Sequence, residues 1–201
     1  MKGYPQYLGS LTREQFLYYE VKIVAQLLNR GLNEEQCFEL IKEENLFQLP
    51  TEKSIKTLFK GIYKRLTFAG TPNLIDLIAN GVSDISKQAS LYLLMRYNKI
   101  VYDFMVYVIG EKYKNFDLSF DKHEVSVFMC KLQYENEIIA SWSESTINKI
   151  KSILVKCLSD TGYINSIKSN NLNSIIIYDE VLECIKENGD LEVLPAFNYL
   201  S

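Results

Sequence analysis

Residues 50–66, Pro-Thr-Glu-Lys-Ser-Ile-Lys-Thr-Leu-Phe-Lys-Gly-Ile-Tyr-Lys-Arg-Leu, read as one amphipathic helix. Ile55, Leu58, Phe59, Ile62 and Leu66 recur at the spacing of a single helical face. Lys53, Lys56, Lys60 and Lys64 recur at the same spacing on another. Each residue turns about 100° around the axis, which gathers the four lysines into a stripe about 80° wide with Arg65 beside it. No acidic residue follows Glu52 until Asp76. A lysine row without carboxylates is the footprint of a phosphate-binding surface. The alternative is a solvated face over a packed one.

Upstream, Gly3, Pro5 and Gly9 mark an irregular lead-in. Thr12 to Gln15 reads as a capping box opening a helix that runs through Phe16, Val21, Val24 and Leu28 to Gly31. Asn33 to Gln36 opens a second, with Phe38, Leu40 and Ile41 inward and Glu34, Glu35, Glu39, Glu43 and Glu44 outward. Pro50 closes the turn that follows. Three helices, an acidic one before a basic one, make a helix-turn-helix-like unit whose last helix could enter a groove. The connection after the second helix is longer than a tight helix-turn-helix allows. Ala69-Gly70-Thr71-Pro72-Asn73 is the clearest break, dividing a unit of residues 1–69 from a larger helical bundle of residues 70–201.

That second part begins with a short helix from Leu74 to Ala79, followed by one capped at Ser83 or Asp84. Residues 100–113 form a further hydrophobic helix, separate from its predecessor. Asp121 and Ser143 each precede a periodic stretch, the second carrying the stripe Ile147, Ile150, Ile153, Leu154, Cys157 and Leu158 up to Gly162. Ser174 to Ile177 suits a short strand or a buried helix entry. A last helix spans about Tyr178 to Glu187, and Leu194, Ala196, Phe197 and Leu200 predict a tail that packs. The expected fold is all-α: a compact multi-helix bundle with at most a minor β element near Ile175–Ile177.

Little in the chain points to catalysis, and the expectation is a protein that is not an enzyme and takes no cofactor. The single histidine, His123, sits in the first turn of a helix between Asp121 and Glu124, positions that do not converge on one point. The four cysteines are scattered and read as small buried residues of a reduced protein. There is no phosphate-loop or nucleophile-elbow motif. No apolar run approaches the 18 or so residues a membrane span needs, and no secretory leader is evident, so a cytoplasmic location is expected. The net charge of −3 means that any nucleic-acid affinity must come from local clustering. Trp142 reads as a core anchor.

Trp142-Ser143-Glu144-Ser145-Thr146, then Lys149, then Leu158-Ser159-Asp160-Thr161-Gly162-Tyr163-Ile164 resembles the BrxA family of BREX bacteriophage-defence systems. Ala25 to Leu28 with Gly31, Lys64-Arg65-Leu66, Leu74 to Gly81 and Arg96 to Phe104 extend the resemblance over residues 7–164, and it fades in the tail. It implies an all-helical fold similar to the NusB family of RNA-binding antitermination factors. It also implies non-enzymatic binding to double-stranded DNA, with RNA the alternative, and other BREX subunits as partners. On this reading Lys53, Lys56, Lys60, Lys64 and Arg65 contact phosphates, with Arg13, Arg96 and Lys99 as secondary candidates. Phosphate contacts carry no sequence information, so affinity without strong sequence preference is expected. The rival is a protein–protein adaptor docking another BREX subunit through tyrosine-rich and acidic faces.

Overall fold

The computed structural model describes residues 6–199 and is built of helices, with no strand among those residues. After a 3-10 turn at Gly9–Thr12 come α1 (Tyr18–Asn29), α2 (Glu34–Glu43), α3 (Glu52–Ala69), α4 (Pro72–Asn80) and α5 (Ser83–Tyr97). Next are α6 (Lys99–Phe104), a π-helical stretch at Met105–Ile109 and α7 (Gly110–Lys114), which together continue one rod. The chain ends with α8 (Lys122–Glu135), α9 (Glu137–Ala140), α10 (Glu144–Asp160), α11 (Asp179–Glu187) and a 3-10 segment at Leu191–Phe197.

Most starts and stops follow local chemistry. Asn33 and Gln36 form a reciprocal capping box at α2, and Thr51, Asp121 and Ser143 cap α3, α8 and α10 through their side chains. Gly31 and Gly162 take φ +81° where α1 and α10 end. Asn98 separates α5 from α6: its side chain accepts from the Ile100 amide and donates to the Leu8 carbonyl. The tail packs as expected, with Leu194, Ala196 and Phe197 buried, whereas Leu200 lies outside the described residues.

Three expectations change. The Thr12–Gln15 capping box does not start α1, which begins at Tyr18 after Leu17 in the left-handed region (φ 50°, ψ 49°). Ile175–Ile177 is neither strand nor helix; the Gln88 amide satisfies it instead, donating to the Ile176 carbonyl at 2.8 Å and accepting from the Tyr178 N–H at 3.1 Å. Cys130 is exposed, while Cys37, Cys157 and Cys184 are buried.

One apolar cluster runs through the molecule, centred on α5, where Leu91 to Met95 have at most 1% exposure. α1 lies on α4, and Lys22 and Gln26 donate to the Gly81 and Ala79 carbonyls left open at the end of α4. α3 packs on α1, α2 and α5. The C-terminal segment is pinned by Asp190, fully buried, which accepts from the Tyr92 hydroxyl at 2.6 Å and the Arg96 guanidinium at 2.8 Å. This packing leaves the outer face of α3 facing the segment that precedes α1.

Candidate nucleic-acid interface

Along α3 the apolar stripe is buried as its spacing predicts: Ile55, Phe59, Ile62 and Leu66 are each at most 4% exposed. Lys53, Lys56, Lys60 and Lys64 all reach solvent. None takes part in an ion pair among the described residues. Lys53, Lys60 and Lys64 line a groove of about 780 Å³ between α3 and residues 13–17, with Leu49 also in the lining. Arg13 faces them from the opposite wall. Four cations therefore surround one carboxylate, Glu14. Ser54 and Thr57 add hydroxyls to the lining, and Leu17 and Leu58 add apolar surface.

Gly61 leaves room for the Glu14 side chain. A Cβ at that position would lie 2.9 Å from the Glu14 Cγ, so a larger residue would displace the Glu14 side chain from its place on the opposite wall.

Lys56 does not share this groove. Its Nζ lies 5.8 Å from the Phe38 ring centre, in a shallow hollow with Glu34 and Glu35 that Lys60 also lines. Phosphate would meet the acidic start of α2 there. The lysine row is thus split by its surroundings, although its members are equally spaced.

Arg65 is a correction. It is 1% exposed and cannot reach a phosphate. Its guanidinium donates to three successive backbone carbonyls, those of Glu14, Gln15 (2.8 Å) and Phe16 (3.4 Å). The Tyr97 ring lies 5.9 Å away. Burial pulls its pKa down to about 10, which still leaves it charged at neutral pH. A signal for this was present in the sequence: Arg65 follows Leu58 by seven residues and Ile62 by three, and so shares the apolar face. The same contacts explain the late start of α1. The Glu14, Gln15 and Phe16 carbonyls, which an earlier helix would direct to the amides of residues 18–20, are engaged by the guanidinium.

Arg96 and Lys99, the secondary candidates, are both engaged by carboxylates. Arg96 has 10% side-chain exposure and is paired with Asp190. Lys99 is held by Asp103 at 2.7 Å, which also accepts from the Tyr7 hydroxyl at 2.7 Å. His123 is exposed, its backbone N–H bonded to Asp121, and no cluster of three or more metal-ligating side chains occurs among the described residues. Trp142 is half-buried and packs against Gly9. The residue whose importance sequence reasoning undervalued is Arg13, which only the fold brings opposite Lys60 and Lys64.

Comparison with known proteins decides the family. The sequence profile of BrxA matches residues 5–189. The chain belongs to the BrxA family. The BrxA match continues past residue 164, where the short motifs fade, through α11. Relatives called BREX protein BrxA include one from Bacillus cereus, 29% identical over 92% of both chains. Another, from Escherichia coli, is 24% identical over 96% of this chain and 91% of its own. The BrxA fold seen here also superimposes on the crystal structure of an uncharacterized protein from Magnetospirillum magneticum. The TM-score is 0.81, with 22% identity, over 96% of this chain and 98% of that one. No helix among the described residues is long and apolar enough to cross a membrane.

Proposed function

We propose that this BrxA-family chain is a non-enzymatic DNA-binding component of a BREX phage-defence system, holding the phosphates of double-stranded DNA in the groove between α3 and residues 13–17. The observation that carries the reading is the groove's charge: Arg13, Lys53, Lys60 and Lys64, none of them ion-paired among the described residues, with Glu14 the one carboxylate in the lining. Exposed, unpaired cations are free to displace the counterions condensed on a nucleic-acid backbone. The hydroxyls of Ser54 and Thr57 can donate to phosphate oxygens beside them. Phosphate contacts carry no sequence information, so binding through these cations is expected to show no strong sequence preference.

Fluorescence anisotropy against duplex DNA over a series of salt concentrations tests this. Four phosphate contacts at a slope of about −0.9 each set a ceiling near −3.6 in log affinity against log salt for the groove. Lys60→Ala with Lys64→Ala should weaken binding equally for unrelated DNA sequences and make the slope shallower by about two. An unchanged affinity and slope in a folded double variant would remove the groove from consideration. Duplex RNA and single strands in the same assay decide between DNA and the RNA alternative.

A second reading, an adaptor for another BREX subunit, draws on a different surface. There Tyr107 and Val127, 59% and 54% exposed, flank a hollow of about 760 Å³ floored by Val108, Phe128 and Leu132. Loss of BREX-subunit binding on Val127→Glu, with DNA affinity retained, would favour the adaptor.

A further inference from the structure

We infer that the phosphate-binding surface continues beyond the α3 groove as one basic track, crossing the start of α1 and the face of α10 to end in the cleft between α8 and α10. The inference rests on the groove reading and extends it to a second set of residues.

Three hollows adjoin through shared lining residues. The α3 groove shares Gln15 and Leu17 with a hollow of about 350 Å³ that lies between residues 15–20 and α10. Lys87 and Lys156 line that hollow, with Glu20 and Asp160. Lys156 is shared in turn with a cleft of about 400 Å³ between α8 and α10, where Lys122 and Lys151 project beside the hydroxyls of Ser126 and Ser152. No carboxylate lines this last cleft. Along the whole path eight cations meet three carboxylates, in a chain whose net charge is −3.

The cations on the track contrast with those around the hollow beside Tyr107 and Val127 in how they are compensated. There Lys99, Lys112 and Lys131 each have a carboxylate partner. Lys87, Lys122, Lys151 and Lys156 have none among the described residues. Uncompensated charge that is strung out along a path, rather than converging on one point, suits an extended polyanion better than a small anion. Duplex DNA presents about one phosphate charge per 1.7 Å of its axis and matches a line of single cations without any need for base contacts.

The test uses the full chain and a duplex of about 30 base pairs, roughly three helical turns. Binding is followed over a salt series for the wild type, for Lys122→Ala with Lys151→Ala, and for Lys60→Ala with Lys64→Ala. The wild-type slope is expected to exceed the ceiling of about −3.6 that the groove alone can supply. The α8–α10 variant should lose about two units of slope, and its loss should add to that of the groove variant. Far-UV circular dichroism checks that each variant is folded, and Lys122→Gln with Lys151→Gln repeats the measurement with the polar stems kept. If the groove variant weakens binding while both α8–α10 variants match the wild type in affinity and slope, the track ends at the groove and the inference is wrong. If the wild type does not bind the duplex, the groove reading falls as well, and an acidic protein partner becomes the better explanation for the uncompensated lysines.

Discussion

Arg65 and Lys64 are neighbours in sequence, yet the structure separates their roles. Lys64 reaches into the groove, whereas Arg65 holds the groove's opposite wall from inside the protein by binding three consecutive carbonyls. Those contacts also hold the chain at Leu17, whose left-handed backbone costs a bulky side chain about 1–2 kcal/mol. A planar fork of donors suits three carbonyls in a row, and an ammonium on a flexible stem does not. Arg65→Lys is therefore expected to lower stability by about 2 kcal/mol or more, and Arg65→Met by more again, because buried carbonyls lose their donors. Lys64→Ala should stay within about 0.5 kcal/mol of the wild type. Urea unfolding of the three variants measures the contrast. Equal stabilities for Arg65→Met and wild type would show that the carbonyls find other partners.

At the scale of an element, α3 carries two faces that can be altered independently. Its inner face holds Phe59, 1% exposed and 5.6 Å from the Phe38 ring centre. Phe59→Ala should cost about 3–5 kcal/mol through lost transfer energy and the cavity left behind. Thr51 accepts from the Ser54 amide at 3.2 Å, and Thr51→Ala should cost about 1 kcal/mol by removing that cap. The outer face should behave in the opposite way: Lys60→Ala with Lys64→Ala changes binding and leaves thermal stability near the wild-type value, because alanine has the higher helix propensity. Melting temperatures and DNA affinities measured on the same preparations separate the faces. A lysine variant that loses stability as Phe59→Ala does would mean that the outer face also packs.

At the scale of the molecule, the proposed division into residues 1–69 and 70–201 meets a core that crosses the joint. α1 packs on α4, α3 packs on α5, and the Asp190 cluster ties the C-terminal segment to α5. Elements that share a core unfold together, so a single cooperative transition is expected, with coincident midpoints by far-UV circular dichroism and tryptophan fluorescence. Trp142, the one tryptophan, lies against Gly9 in the other proposed unit and so reports on that contact. Two resolved transitions would support 1–69 as a unit that melts by itself.

Local sequence determined the helical content of this protein and most helix ends. Periodicity and capping depend on residues three or four apart, and Asn33, Thr51, Asp121, Ser143, Gly31 and Gly162 act where they stand. The BrxA resemblance was legible on the same short-range terms. Tertiary structure decided what each cation meets, even where, as for Arg65, helical position already marked it for burial. Arg65 is buried because the carbonyls of residues 14–16, some 50 positions earlier, complete its hydrogen bonds. Arg96 is neutralised by Asp190, 94 positions away, and Lys56 is turned toward α2 while Lys60 and Lys64 meet Arg13. Charge in a sequence says only that a side chain can ionise. Whether it binds a phosphate, a carboxylate or a backbone carbonyl depends on what the fold brings within hydrogen-bond reach.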